Sequence, residues 1–242
     1  MNSSLLRRLL LIASATLGLA LNAQTLVISP NGTGVIQYDY AGSLGTLFDV
    51  NPGFTVTVTS LGLWDEGHNG VDFGDGQVSA ALFTRTGTTS GTMIPGSQID
   101  FYDTGNSITR PGTYTGATYL GGQFYEVNLG TTIVLTPGSY AVVVWNMQNA
   151  NAFVNGVLSG TPGPAANFDT LFGALTLTGA AYGAAAAFPD TIEATPGALY
   201  LAGTFSATAI PEPSTYAALF GACAIGLAAW RRHARRATVR GV

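Results

Sequence analysis

The stretch FTVTVTS, residues 54–60, determines the predicted fold class. Apolar residues occupy its even positions, while threonines occupy the odd positions before the closing Ser60. This is the two-residue period of a strand that buries one face. The next apolar residues, Leu61 and Leu63, fall on odd positions. We expect a β-bulge near Ser60, because an extra residue there would return both apolar sets to the same core.

Two later stretches extend the all-β pattern. QFYEVNLGTTIVL, residues 123–135, keeps its apolar residues in one phase, and SYAVVVWN, residues 139–146, is apolar on both faces, as a central strand is. Pro-Gly pairs at 137–138 and 196–197 precede later strands and fit type II turns, in which glycine supplies a positive φ. Residues 151–194 show no clear period and are left without assigned elements.

These patterns predict an all-β exported domain over residues 24–207. We expect an antiparallel β-sandwich of jelly-roll or immunoglobulin-like type, because short strands recur between turn residues. An N-terminal signal helix and a C-terminal transmembrane helix are predicted to flank it.

Charge is distributed unevenly along the 242 residues. The chain has no lysine, and seven of its nine arginines lie near the termini. Between residues 24 and 209, twelve acidic residues oppose only Arg85 and Arg110, which gives this region a net charge of −10. Such a domain repels nucleic acid, whose binding requires cations that neutralise phosphates.

With Cys223 as its single cysteine, the chain can form no intrachain disulfide.

Residues 1–23 have the pattern of a secretory signal peptide. Arg7 and Arg8 precede an apolar stretch over residues 9–21, and Ala20 and Ala23 offer small residues for cleavage. We expect cleavage after Ala23 and export by the general secretion machinery.

The C-terminal sequence IPEPSTYAALFGACAIGLAAWRRHARR, residues 210–236, combines three features. Pro211, Glu212 and Pro213 form an extended peptide, because proline disfavours helical geometry in the residue before it. The charge-free residues 216–230 would span about 22 Å as a helix, against a hydrocarbon core of about 30 Å, and flanking residues can supply the difference. We predict a transmembrane helix over about 214–230 and a cytoplasmic basic tail over 231–242. The basic anchor comprises Arg231, Arg232, Arg235 and Arg236.

Residues 210–236 resemble the PEP-CTERM protein-sorting domain. They contain the Pro-Glu-Pro triplet, an apolar segment and the arginines, in this order at the C-terminus. The resemblance implies processing near the triplet by an exosortase, a membrane enzyme that releases or transfers its substrates. It also implies a Gram-negative bacterium that makes exopolysaccharide. We assign residues 208–242 to this sorting segment, with a very short linker over about 207–210. The expected route is an inner-membrane anchored intermediate, followed by delivery to the cell surface or extracellular matrix.

The acidic loop WDEGHNGVDFGDG, residues 64–76, is a candidate calcium site. Its oxygen ligands would be Asp65, Glu66, Asn69, Asp72 and Asp75. Calcium binds carboxylate and amide oxygens, but the spacing lacks the bidentate glutamate that ends an EF-hand loop. The loop is either a calcium site of another type or a solvated turn, because Asp, Asn and Gly are also common turn residues.

Catalytic motifs are absent from the exported region of the sequence. His68 is its only histidine, and no Gly-x-Ser-x-Gly elbow accompanies it. Acidic pairs that could hydrolyse a glycoside, such as Asp100 with Asp103 or Glu126, occur on any acidic surface. We therefore expect a protein that is not an enzyme.

Three functions remain open on the sequence alone. The first is a non-catalytic surface or exopolysaccharide-matrix protein, with a structural or adhesive role in a biofilm. The second is a calcium- or carbohydrate-binding module of that matrix, and the third is a secreted hydrolase. Aromatic rings could contact sugars if they were exposed rather than part of the core. The candidates are Trp64, Tyr102, Tyr114, Tyr119 and Trp145.

Overall fold

The computed structural model divides the chain into two compact units, Met1–Ile210 and Pro211–Val242. The first contains the β-domain and the second the greater part of the sorting segment. The predicted signal peptide, residues 1–23, lies outside the described residues. The structure describes residues 24–31, 35–37, 40–66, 78–101, 112–147, 153–155, 166–184, 187–194, 199–211, 221, 223–226 and 230.

The described part of the β-domain contains seventeen strands. They are β1 Thr25–Leu26, β2 Ile28–Pro30, β3 Val35–Gln37, β4 Tyr40–Val50, β5 Phe54–Glu66, β6 Val78–Arg85, β7 Gly91–Met93, β8 Ile99–Phe101, β9 Thr113–Tyr119, β10 Gly122–Leu135, β11 Gly138–Met147, β12 Phe153–Asn155, β13 Ala166–Phe168, β14 Leu175–Gly183, β15 Thr191–Ile192, β16 Tyr200–Leu201 and β17 Gly203–Pro211.

Two large antiparallel sheets form the domain. The five-stranded sheet has the order β1-β17-β5-β10-β9, and the seven-stranded sheet has the order β15-β14-β4-β11-β6-β7, with β8 also paired to β6. Smaller sheets, β16-β12-β3 and β13-β2, complete the described strands. The prediction of an all-β, antiparallel fold is confirmed.

One apolar core joins the two large sheets. Phe48 of β4 and Phe205 of β17 are fully buried, and their ring centroids lie 5.1 Å apart. The two sheets also meet between β17 and β11, where a Cβ atom added to Gly203 would lie 2.4 Å from Cγ2 of Val144. Glycine therefore fits at this position, because a larger residue would press its Cβ atom against the Val144 side chain.

The irregularity predicted near Ser60 is present. Both apolar sets of β5 reach the core, although they lie on opposite phases: Val56, Val58, Leu61 and Leu63. Ser60 pairs with Asn128 and Val58 with Ile133, so β10 carries the additional residues at this register shift. The additional residues are therefore on β10, opposite Ser60, and not on β5 where the bulge was predicted.

The predicted central strand is also confirmed. β11 lies between β4 and β6, and it is buried on both faces. One face joins the shared core. On the other face Trp145 packs edge-on against Phe83, with ring centroids 6.4 Å apart, and Phe83 in turn contacts Phe188 at 5.5 Å.

Two local predictions are wrong. Gly138 does not have the positive φ of a type II turn, because it is already the first residue of β11 and pairs with Val50. Residues 207–210 are not a linker, because they lie within β17. The second predicted turn, at 196–197, lies outside the described residues.

The substitution Gly203→Ala should destabilise the domain by about 1–3 kcal/mol, because the new methyl group overpacks the contact with Val144. Gly130→Ala is the matched control, since a Cβ atom at Gly130 would meet no atom within 4 Å. It should change the free energy of unfolding by less than about 0.5 kcal/mol. Urea denaturation followed by circular dichroism measures both, and equal stabilities would contradict the close approach of the sheets.

Candidate functional site

Glu126 is buried and links four strands of the five-stranded sheet. It lies on β10, and its Oε1 atom accepts hydrogen bonds from the hydroxyls of Ser60 on β5 (2.8 Å) and Ser206 on β17 (2.7 Å). Its Oε2 atom accepts a third from Thr115 on β9 (2.7 Å). Gly62 leaves room for this side chain, because a Cβ atom there would lie 2.9 Å from Cγ of Glu126. The carboxylate is thus held by protein hydroxyl groups.

Asp100, the other described member of the sequence-predicted acidic pairs, lies on β8 of the seven-stranded sheet. Its Oδ1 atom accepts hydrogen bonds from the Ser79 hydroxyl (2.9 Å) and from Nε2 of Gln98 (2.7 Å). Asp100 and Glu126 therefore lie in different sheets and bind different partners. Asp103 lies outside the described residues.

The first residue of the candidate calcium loop belongs to the folded domain. Asp65 is 3% exposed and accepts a hydrogen bond from the hydroxyl of Tyr114. β5 ends at Glu66, and Asn69, Asp72 and Asp75 lie outside the described residues, as does His68. Within the part of the chain that the structure describes, no three His, Cys, Asp or Glu residues lie close enough to hold a metal ion. The calcium site stays a prediction.

The two tryptophans considered for sugar binding are core residues. Trp64 is 2% exposed and packs edge-on against Phe124, with ring centroids 5.3 Å apart, and Trp145 is 7% exposed. Tyr114 packs against Tyr125 at 5.2 Å. Tyr119 is half-buried, and Tyr102 lies outside the described residues. The described tryptophans of the β-domain therefore offer no exposed ring face.

A further polar contact was not apparent from the sequence. The hydroxyl of Tyr200 donates to Oε2 of Glu193 at 2.9 Å. Burial raises the pKa of Tyr200, and its hydrogen bond to Glu193 raises it further. The phenol is thus held in its neutral form as a hydrogen-bond donor. Neither residue belongs to a recognisable motif, so sequence spacing gives no signal for this pair.

β17 leads the chain into the C-terminal segment. The Trp64 amide donates to the Ala202 carbonyl (2.9 Å), and the Thr59 hydroxyl donates to the Ser206 carbonyl (3.2 Å). These contacts show that β17 runs antiparallel to β5, so its last residues lie near the start of β5. The strand ends at Pro211, the first residue of the Pro-Glu-Pro triplet.

The rest of the segment is described only in part. Residues 221, 223–226 and 230 are helical. Ile225 is 72% exposed and Trp230 is 53% exposed, so apolar side chains lie on the surface of this unit. Within the described residues, no helix has the length and apolar character needed to cross a membrane. The transmembrane helix over 214–230 stays a prediction, and Glu212, Pro213 and residues 231–242 lie outside the description.

Comparison with known protein families decides the nature of this segment. Residues 209–236 match the PEP-CTERM protein-sorting motif. The match begins one residue before the predicted range and ends at the same arginine, so the sequence-based recognition of the motif is confirmed. Among curated proteins, none matches the chain in sequence.

The PEP-CTERM motif implies an exported protein with an exosortase as its processing partner. The motif overlaps the end of the folded domain, because β17 includes residues 209–211. The final strand of the β-domain and the start of the sorting motif therefore share residues.

The substitution Glu126→Ala should destabilise the β-domain by roughly 3 kcal/mol, because three hydroxyl groups would lose a charged acceptor. Asp190→Ala is the control: Asp190 is exposed and accepts a hydrogen bond from the neighbouring Thr191 hydroxyl. Its free energy of unfolding should change by less than about 0.5 kcal/mol. Chemical denaturation measures the difference. If Glu126→Ala were as stable as the control, the carboxylate would have no structural role in the sheet.

Proposed function

We propose that this protein is a non-catalytic component of the bacterial surface or exopolysaccharide matrix, delivered there by exosortase processing. The PEP-CTERM motif at residues 209–236 carries the proposal. The domain ahead of it would be the part that persists after processing, and its role would be structural or adhesive.

The contacts of the described carboxylates support a non-catalytic role. A glycosidase requires two carboxylates that face a shared space and can reach the scissile bond. Here Glu126 is surrounded by three hydroxyl donors, Asp65 is bound by Tyr114, and Asp100 is bound by Ser79 and Gln98. Each of these groups stabilises a strand or a strand end of its own sheet.

The charge of the domain supports a neutral matrix as its environment. Residues 24–209 carry a net charge of −10, and Arg85, one of the two cations in this region, is paired with Asp49 at 2.8 Å. Strong net charge keeps a protein soluble and apart from like-charged polymers. Uncharged polysaccharide is compatible with such a surface, whereas nucleic acid is repelled.

The proposed maturation has two steps. The secretion machinery exports the chain and the signal peptide is removed, while the C-terminal apolar segment stays in the inner membrane with its arginines on the cytoplasmic side. The exosortase then acts near Pro211, Glu212 and Pro213, and the β-domain proceeds to the surface or matrix.

Replacement of all three triplet residues, Pro211→Ala, Glu212→Ala and Pro213→Ala, should leave the protein in the membrane fraction with its arginine tail attached. The single substitution Pro137→Ala is the control, because Pro137 is an exposed proline between β10 and β11, outside the motif. Cell fractionation and immunoblotting with an antibody to the tail read the result in a strain that has an exosortase. Normal release of the triple variant would contradict the proposal.

A further inference from the structure

The turn between β13 and β14 holds a phenylalanine away from the domain. Leu171, Phe172 and Gly173 have φ angles of 46°, 58° and 87°, so two non-glycine residues in succession adopt the left-handed conformation. Leu171 is buried, whereas Phe172 is 66% exposed. Left-handed backbone is unfavourable for such residues and persists only where the surroundings enforce it.

Hydrogen bonds enforce this conformation. The side-chain amide of Asn51 donates to the Gly173 carbonyl at 2.8 Å, and the Asn51 backbone amide donates to the Ala174 carbonyl at 2.8 Å. The Leu171 amide donates to Oδ1 of Asp169 at 2.7 Å. The aromatic ring therefore projects from a braced turn and needs no rearrangement before it binds.

This turn lies at the end of the domain from which the chain departs. Asn51 precedes β5 by three residues, and β17 runs antiparallel to β5 so that Ile210 lies near the start of that strand. We call the surface formed by residues 51–53 and 170–173 the exit end. Two acids lie near this surface: Asp49 on β4 is paired with Arg85, and Asp169 accepts the hydrogen bond from the Leu171 amide.

We propose that Phe172 inserts into the lipid interface of the membrane while the sorting segment still tethers the protein there. The inference rests on the proposed function, which supplies the membrane-bound stage. Phenylalanine and other large apolar side chains of peripheral anchors bury at the boundary between headgroups and acyl chains.

A single ring is a weak anchor by itself, but tethering raises its effective concentration at the membrane surface. Phe172 would therefore keep the exit end against the outer leaflet in the anchored form, and would not retain the released domain. Since the domain is acidic, neutral lipid should favour insertion more than anionic lipid does.

Fluorescence quenching in vesicles tests the proposal with a matched pair of variants. Leu120 is the control: it is 45% exposed, has a φ of 48°, and lies near the opposite end of β5, because Gly122, two residues further on, pairs with Glu66. Phe172→Trp and Leu120→Trp would each be made in the full-length chain with Trp230→Phe. The remaining tryptophans, Trp64 and Trp145, are buried.

The chains would be reconstituted into phosphatidylcholine vesicles that contain lipid brominated at shallow acyl positions. For F172W we expect a blue-shifted emission and quenching by the brominated lipid, because the ring would lie about 5–10 Å below the surface. L120W should show neither effect. The released domain carrying F172W should show no quenching by the same vesicles.

Flotation of the vesicles establishes that the full-length chains are membrane-bound. Unquenched F172W in floated vesicles overturns the inference, and so does equal quenching of both variants. A blue shift of F172W without lipid, increasing with protein concentration, would assign the ring to a second copy of the chain and would also overturn it. Release of the arginine tail in cells is measured separately, so failed sorting and failed insertion are distinguishable.

Discussion

The pairing of β17 with β5 is the contact on which the rest of the molecule depends. β17 lies between β1 and β5 in the five-stranded sheet, and it carries Phe205 into the core opposite Phe48. Because β17 is the last strand of the described residues, the two sheets cannot complete their shared core without the residues next to the sorting motif. Folding of the domain is thereby coupled to the start of the sorting motif, because β17 and the motif share residues 209–211.

The same strand contributes to the hydrogen bonds that hold the buried Glu126 carboxylate. Ser206 of β17 and Ser60 of β5 both donate to Glu126, so completion of the sheet also satisfies its buried carboxylate. A buried charge without such partners would be costly. The pairing of β17 with β5, the hydrogen bonds to Glu126 and the packing of Phe205 in the core therefore form together when β17 joins the sheet.

Regular alternation made much of the fold predictable from sequence. The phase change after Val58 required an irregularity, and the doubly apolar β11 required neighbours on both sides. The three hydrogen bonds to Glu126 were not predictable, because the donors on β5, β9 and β17 are far apart in sequence and hydroxyl residues are abundant. The turn at Phe172 was equally unpredictable from sequence. Two of its left-handed residues are not glycines, and Asn51, which donates a hydrogen bond to it, lies more than a hundred positions away. The sorting motif needed no tertiary contact to be recognised, since its features are consecutive.

Hydrogen exchange of β17 tests the central claim most directly. In the full-length protein, peptides covering residues 203–211 should exchange as slowly as those covering residues 54–66 of β5, because both strands open only when the five-stranded sheet unfolds. Residues 203–211 that exchange as fast as exposed loops, while β5 remains protected, would contradict the account. The end of the domain would then be a linker, and the coupling between folding and the sorting motif would not exist.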